Sequence, residues 1–260
     1  MEFPRNLCRR SGSSVTAHSN MQRPDIPPRR LVSIHQGPPK RFRLHTDRKV
    51  LDDNGKVRKW TFGKKDTSKP NKIILLVGET GVGKTTLINS MVNYLLGVKF
   101  EDKIWYEITE EAAGDQSESQ TYQTYHMVNI SLTIIDTPGY GDTRGLDKDL
   151  EVAENLATLF QNNDGVCEVD AVCFVTQASK NRLSDRQHYI ISSILSLFGK
   201  DIVNNIVFLI THSMSLVPLI KLESPADETK VANLFISYST TGRLMHVTLK
   251  SVTFALKEMP

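Results

Sequence analysis

The chain is short of the features that mark disulfide-built, zinc-bound or membrane-spanning proteins. Its 260 residues include three cysteines, Cys8, Cys167 and Cys173, scattered and with no C-x-x-C pair. Neither a disulfide framework nor a zinc site is expected from such a set, and a reducing, cytoplasmic setting is. Cys173 lies inside an apolar run and reads as a small buried hydrophobe. No apolar run approaches the roughly 18 residues of a membrane span, so a soluble protein is the expectation. Internal repeats and heptad arrays are missing as well, which argues against a solenoid or a long coiled coil.

Charge is present but unevenly placed. Residues 1–70 carry 17 Lys+Arg against 6 Asp+Glu, while the remaining 190 carry 15 against 23, so the net +3 hides a basic leader and an acidic remainder. Prolines at 24, 27, 28, 38 and 39 rule out a long helix in that leader. Residues 1–58 are therefore read as a disordered basic arm. The alternatives are a contact for an acidic membrane surface or nucleic acid and a transit peptide; the first 22 residues bear Arg and Ser with one acid but show no clear amphipathic helix. No specific nucleic-acid partner is predicted. Lys59-Trp60-Thr61-Phe62-Gly63 marks where the chain first packs.

From Asn71 onward, strand and helix signals alternate. Ile73-Ile74-Leu75-Leu76-Val77 reads as a buried strand, and apolar pairs at helical spacing follow over about 84–96. A polar stretch from Glu110 to Gln120 reads as a mobile loop, and Tyr122 to Ile130 with Leu132 to Ile135 as a paired hairpin. A helix at about 147–161, a strand over Ala171 to Val175, a helix at about 184–199 and a strand over Ile206 to Ile210 complete the alternation. The order predicts an α/β protein with a mostly parallel central sheet and helices on both faces.

Between the first strand and helix lies Gly78-Glu79-Thr80-Gly81-Val82-Gly83-Lys84-Thr85, a match to G-x-x-x-x-G-K-[ST]. Glycines there let backbone N–H groups curl around phosphate oxygens, and the helix N-terminus adds partial positive charge. Lys84 is placed to reach the β- and γ-phosphates and the Thr85 hydroxyl to hold Mg²⁺, with Thr86 completing the phosphate-binding set. Fifty-one residues after Thr85, Asp136-Thr137-Pro138-Gly139 ends the strand Leu132 to Ile135. A carboxylate at that strand tip can face the Mg²⁺ water shell from the other side, and Gly139 offers a backbone N–H to a γ-phosphate.

These two segments, extended to Thr86-Leu87-Ile88-Asn89 and to Tyr140-Gly141-Asp142-Thr143, resemble GTPases of the septin and AIG1 (immunity-associated) group, over about residues 60–213. The resemblance implies a Ras-like P-loop fold, GTP/GDP and Mg²⁺ as ligands, slow hydrolysis, loops that respond to the nucleotide, and a homodimer through the G domain. It places the G domain at 59–215. It also asks for a threonine that closes over Mg²⁺ from the loop before the hairpin. Thr121 is the choice, as a metal ligand and catalytic group alongside Lys84, with Ser119 and Thr124 as alternatives.

The pattern then breaks. Ras-like proteins read guanine through [N/T]-K-x-D after the fifth strand; here the segment is Thr211-His212-Ser213-Met214. Thr211 and His212 take the first two places, with His212 able to stack on the base, but Met214 stands where the aspartate belongs. A thioether cannot supply two charge-assisted hydrogen bonds. Tyr140 occupies the place of the water-orienting glutamine, and Arg144 is a candidate charge for a partner's site. Residues 216–260 read as a divergent segment with one strand near Met245–Phe254 and no sixth-strand element, so the C-terminal part is expected to be atypical or incomplete. Three functions follow from these residues: a slow GTPase switch, a non-hydrolysing nucleotide-binding interaction module, and an ATPase or small-molecule kinase. The last is disfavoured by Asp136 to Gly139 and by the lack of an acceptor lid.

Overall fold

The computed structural model describes residues 26–63, 71–99, 101–109, 122–127, 132–139, 147–161, 166, 168–179, 183–198, 200–213, 229–238 and 244–254. In chain order its strands are β1 (Leu31–His35), β2 (Lys40–Leu44), β3 (Asp47–Val50), β4 (Val57–Phe62), β5 (Lys72–Val77), β6 (Ile104–Glu107), β7 (Tyr122–Met127), β8 (Leu132–Asp136), β9 (Ala171–Gln177), β10 (Ile206–Ser213), β11 (Thr229–Tyr238) and β12 (Leu244–Phe254). Its helices are α1 (Lys84–Leu95), α2 (Asp147–Gln161) and α3 (Asp185–Phe198). Nine strands form one sheet in the order β12-β11-β10-β9-β5-β8-β7-β4-β3, and β1-β2-β6 form a second.

Within the large sheet, β8, β5, β9, β10 and β11 run parallel, and β7 pairs with β8 antiparallel. This is the expected Ras-like architecture, with β5 at the centre. The central strands are apolar on both faces, as strands covered on each side must be. Side chains alternate between two cores. Leu75, Val77, Val172 and Phe174 face Leu156, Leu159, Ile190 and Ile194 of α2 and α3. Leu76, Cys173 and Val175 face Leu87, Ile88 and Val92 of α1. Cys173 is the buried free thiol expected of it, and burial pushes its pKa up to about 12, which leaves it unreactive.

Local chemistry sets the helix ends. Before α3, the Gln187 N–H donates to Ser184 Oγ at 3.3 Å and the Ser184 N–H donates to Gln187 Oε1 at 3.0 Å, a reciprocal capping box. Gln187 Nε2 also donates to Thr176 Oγ1 at 3.0 Å, which ties α3 to β9. At the opposite end of the sheet, Asp170 accepts the Ile73 N–H at 2.8 Å and pairs with Lys72 at 2.8 Å, while its carbonyl takes Asn205 Nδ2 at 2.6 Å.

Two expectations are corrected. The arm expected to be disordered over 1–58 contains four strands from Leu31 onward, and the boundary at 59 falls inside β4. Leu44, Leu51 and Val57 are buried in the two cores, with Trp60 behind them. Pro27 and Pro28 lead into a short 3-10 turn over Pro28–Arg30 just before β1, and Pro38 and Pro39 lie between β1 and β2, so they exclude a long helix without excluding sheet. Residues 1–25 lie outside the described residues. The second correction is at the C-terminus: β11 occupies the sixth-strand place, parallel to β10, although no such element is evident in the sequence. The segment is nonetheless atypical, because β12 follows it antiparallel, where a covering helix is the ordinary ending.

Candidate nucleotide site

The site begins where β5 ends. In register, Leu76 of β5 lies beside Asp136 of β8, and Val77 beside Phe174 of β9, so the turn leaving β5 is flanked by both neighbouring strand tips. Gly83 adopts φ 89°, a left-handed value that L side chains rarely take, and α1 starts directly after it. No side chain among the described residues caps the helix, and the N–H of Leu87 makes its first-turn bond to the Gly83 carbonyl at 2.9 Å. The N–H groups of the first turn are left to point at a ligand, in the field of the helix dipole.

Lys84 is buried and folded back over the turn, donating to the Gly78 carbonyl at 3.0 Å and the Glu79 carbonyl at 3.2 Å. Burial lowers its pKa, and the negative charges of Asp136 and Glu79 oppose that shift. Asp136 is the counterpart. Burial raises its pKa from 3.8 to about 6 against the pull of Lys84, and its Oδ1 is enclosed without a hydrogen-bond partner among the described residues. A desolvated ammonium held only by turn carbonyls and a desolvated carboxylate with one oxygen unpartnered among the described residues thus share a site. Such a pair suits a polyphosphate and a divalent cation: the phosphate would offset Lys84, and the cation would take the unpartnered Asp136 oxygen.

The other sequence-derived residues fall around this pair. Thr80 and Thr86 are exposed on the turn and first helical residues, and Thr85 is half-buried. Gln177 Nε2 donates to the Gly81 carbonyl at 3.2 Å. Thr137 is buried and donates to the Leu76 carbonyl at 2.9 Å, which fixes the Asp136–Gly139 segment to β5. Gly139 sits directly against Thr80.

Thr211 needs a correction as a nucleotide contact. It is 1% exposed, and its hydroxyl donates to the Val82 carbonyl at 2.6 Å, so it braces the phosphate turn from β10 and does not face the ligand. His212 does face outward, at φ 55°, with Nδ1 3.1 Å from Thr211 Oγ1. Because that hydroxyl donates to Val82, it accepts from the imidazole, which puts the ring proton on Nδ1. The ring lies over Gly83, so closely that a Cβ there would meet Cε1 at 3.2 Å. Thr121 and Ser119, together with Tyr140, Arg144 and Met214, lie outside the described residues, and the side chain of Thr124 in β7 is likewise not described.

Two residues were given no role in the sequence reading. Asn89 and Asn93, one turn apart on the buried face of α1, hold the segment 106–109 that leads toward the polar loop. Asn89 Oδ1 accepts the Ile108 N–H at 2.9 Å and its Nδ2 donates to Thr109 Oγ1 at 2.6 Å. Asn93 Oδ1 accepts the Tyr106 N–H at 2.8 Å and its Nδ2 donates to the Tyr106 carbonyl at 2.6 Å. The signal was available: amides at i and i+4 on the apolar face of a helix must find buried partners.

A family model described as the AIG1 family matches residues 72–223. The chain belongs to the AIG1 family. Among curated relatives, human septin-10 is 41% identical over 70 residues, 26% of this chain and 14% of that protein. Septin-8 of Xenopus tropicalis is 38% identical over 95 residues, 34% of this chain and 20% of that protein. The matches thus span a fifth or less of these relatives' length. Among solved structures, Toc33 of Arabidopsis thaliana in complex with GDP and Mg²⁺ is similar at a TM-score of 0.38 and 21% identity, over 62% of this chain and 55% of that one. At that level the assignment to a Ras-like fold stands on this chain's own strand order.

Proposed function

We propose that this AIG1-family chain binds a guanine nucleotide together with Mg²⁺, hydrolyses GTP slowly, and uses the bound nucleotide to set the loops around Thr121 and Asp136–Thr143 as a dimer or effector surface. The observation that carries the reading is buried Lys84 set against half-buried Asp136, whose Oδ1 is enclosed without a partner among the described residues, beside the helix N-terminus that follows Gly83. Opposite charges held out of water at a phosphate-type turn are costly unless a ligand completes them.

In this reading the backbone of 81–85 and the N-terminus of α1 hold the phosphates. Lys84 turns from the Gly78 and Glu79 carbonyls to the β- and γ-oxygens. Thr85 and Asp136 flank the metal, which when bound supplies charge neutralisation on the phosphate oxygens. The amide of Gly139 addresses the terminal phosphate, Thr121 closes from the polar loop, and His212 stacks on the base. Phosphoryl transfer needs chiefly positioning and electrostatic stabilisation, so a slow rate is compatible with Tyr140 in the glutamine's place.

A second reading, a nucleotide-binding module without hydrolysis, is favoured by Met214 and Tyr140. The deciding experiment measures GTP and ATP affinity with Mg²⁺, and phosphate release, for the full chain and for Met214→Asp. Guanine preference that rises in the variant supports the alignment of that loop, and binding without turnover supports the module. Tight ATP binding with turnover would replace both readings by an ATPase.

The basic leader has a further reading as a contact for an acidic membrane surface, in a cytoplasmic protein. Arg29, Lys40, Arg43, Lys56 and Arg58 lie on or beside β1 to β4, so these charges are carried by strands and turns and not by a loose tail. Co-sedimentation with phosphatidylserine vesicles, lost at high salt, is the expected result.

A further inference from the structure

Of everything in the site, the contact between Thr80 and Gly139 has the most specific consequence. Gly139 has no side chain, and none would fit: a Cβ there would lie 2.6 Å from Thr80 Cα and 2.7 Å from Thr80 N. Two of the atoms met are backbone, so the obstruction cannot be relieved by a rotamer change. The contact is also held from both sides. Thr137 hydroxyl to Leu76 carbonyl at 2.9 Å anchors the Asp136–Gly139 segment to β5. Before nucleotide binds, Lys84, bonded to the carbonyls of Gly78 and Glu79, also fixes the turn just before Thr80, and the anchor at Thr137 is the one that remains when the lysine turns to the phosphates.

A phosphoryl group received between two backbone segments needs roughly 2.8 Å from each donor to its oxygens, so the segments must stand more than about 5 Å apart. Thr80 and Gly139 in van der Waals contact leave no such gap. We infer that Thr80 is a specificity-determining residue: its contact with Gly139 closes the terminal-phosphate position and biases the site toward a nucleoside diphosphate. This rests on the proposed nucleotide site and adds the residue that discriminates its ligands. The triphosphate must part Thr80 from Gly139 to enter, whereas the diphosphate leaves the contact intact. The nearest atom in the contact is the Thr80 hydroxyl oxygen, so removing the side chain takes away its tightest part and leaves a glycine turn that can draw back, without touching Lys84, Thr85 or Asp136.

The test is equilibrium titration of the full chain with fluorescent GDP and with a non-hydrolysable GTP analogue, both with Mg²⁺, for the wild type, Thr80→Gly and Thr80→Ser. Thr80→Gly is expected to raise the ratio of triphosphate to diphosphate affinity by about ten-fold. Thr80→Ser, which keeps the hydroxyl and the Cβ, is expected to stay near the wild-type ratio. An unchanged ratio in Thr80→Gly, with both nucleotides still bound, overturns the role of Thr80 and leaves the site reading intact. A wild type that binds neither nucleotide overturns the site reading and this inference together. Circular dichroism of each variant identifies loss of fold, and Gly139→Ala supplies a second arm. By forcing the two segments apart it should weaken diphosphate binding more than triphosphate binding, and the opposite order would overturn the inference.

Discussion

Asn89 Oδ1 accepts the backbone N–H of Ile108 at 2.9 Å, so the helix that opens at the phosphate turn also carries the stem of the polar loop. The same oxygen lies 3.3 Å from the Thr109 N–H. All the groups involved are buried. Truncating the amide in Asn89→Ala strands two backbone donors and a hydroxyl, and a buried polar group left unpaired costs about 1–3 kcal/mol. The variant should unfold at a clearly lower urea midpoint than an exposed control such as Thr86→Ala, with an unchanged slope.

Lys84→Ala has the opposite profile. Removing the desolvated ammonium relieves an unfavourable burial, which offsets the loss of its bonds to the Gly78 and Glu79 carbonyls. Nucleotide affinity should fall by about two orders of magnitude, in line with the loss of a charge-assisted contact, while thermal unfolding stays within a few degrees of the wild type. Affinity unchanged in this variant would falsify the site assignment.

The pH dependence follows from Asp136. Its folded pKa is raised from 3.8 to about 6 by burial, so the folded chain binds that proton more tightly than the unfolded chain. The stability this contributes is fully present below about pH 4 and is lost as pH rises through about 6. Urea midpoints of nucleotide-free protein in EDTA should therefore show a fall across that window that is absent in Asp136→Asn. Mg²⁺-dependent nucleotide binding should run the other way, weakening as pH drops through about 6, because the proton competes with the metal for the same oxygen.

Thr211→Val keeps the shape of the side chain and removes the bond to the Val82 carbonyl. A loss of about 1–2 kcal/mol in stability is expected from the stranded carbonyl. If Thr211 acts only through the turn, affinity for GTP and ATP should fall by the same factor. A selective loss of GTP binding would instead place Thr211 on the base.

The parts of this molecule that could be read from sequence are those where one local rule decides. The run Ile73 to Val77 reads as a buried strand, and Gly78 to Gly83 as the turn between it and the helix that opens at Lys84. The four strands between Leu31 and Phe62 were hidden because their apolar residues are few and their arginines many, a composition that resembles a tail until Leu44, Leu51 and Val57 are seen to share buried cores. β11 was missed for a related reason: its pairing with β10 is long-range, and no short-range signal announces it. In the site, Lys84 and Asp136 were legible by spacing. The duty of Thr211 was not, since a threonine at a strand end looks the same whether it meets a ligand or a carbonyl.

The position of β4 bears on how the protein should be produced. It pairs with β7 along its full length, Val57 opposite Tyr122 through Phe62 opposite Met127. A fragment trimmed to begin at β5 would leave the outer margin of β7 with bare amide and carbonyl groups and would uncover the apolar surface beneath Trp60. Such a margin recruits any extended chain it meets. Poor solubility of a trimmed fragment would then report a missing neighbour strand, and cloning should start upstream of Ile26.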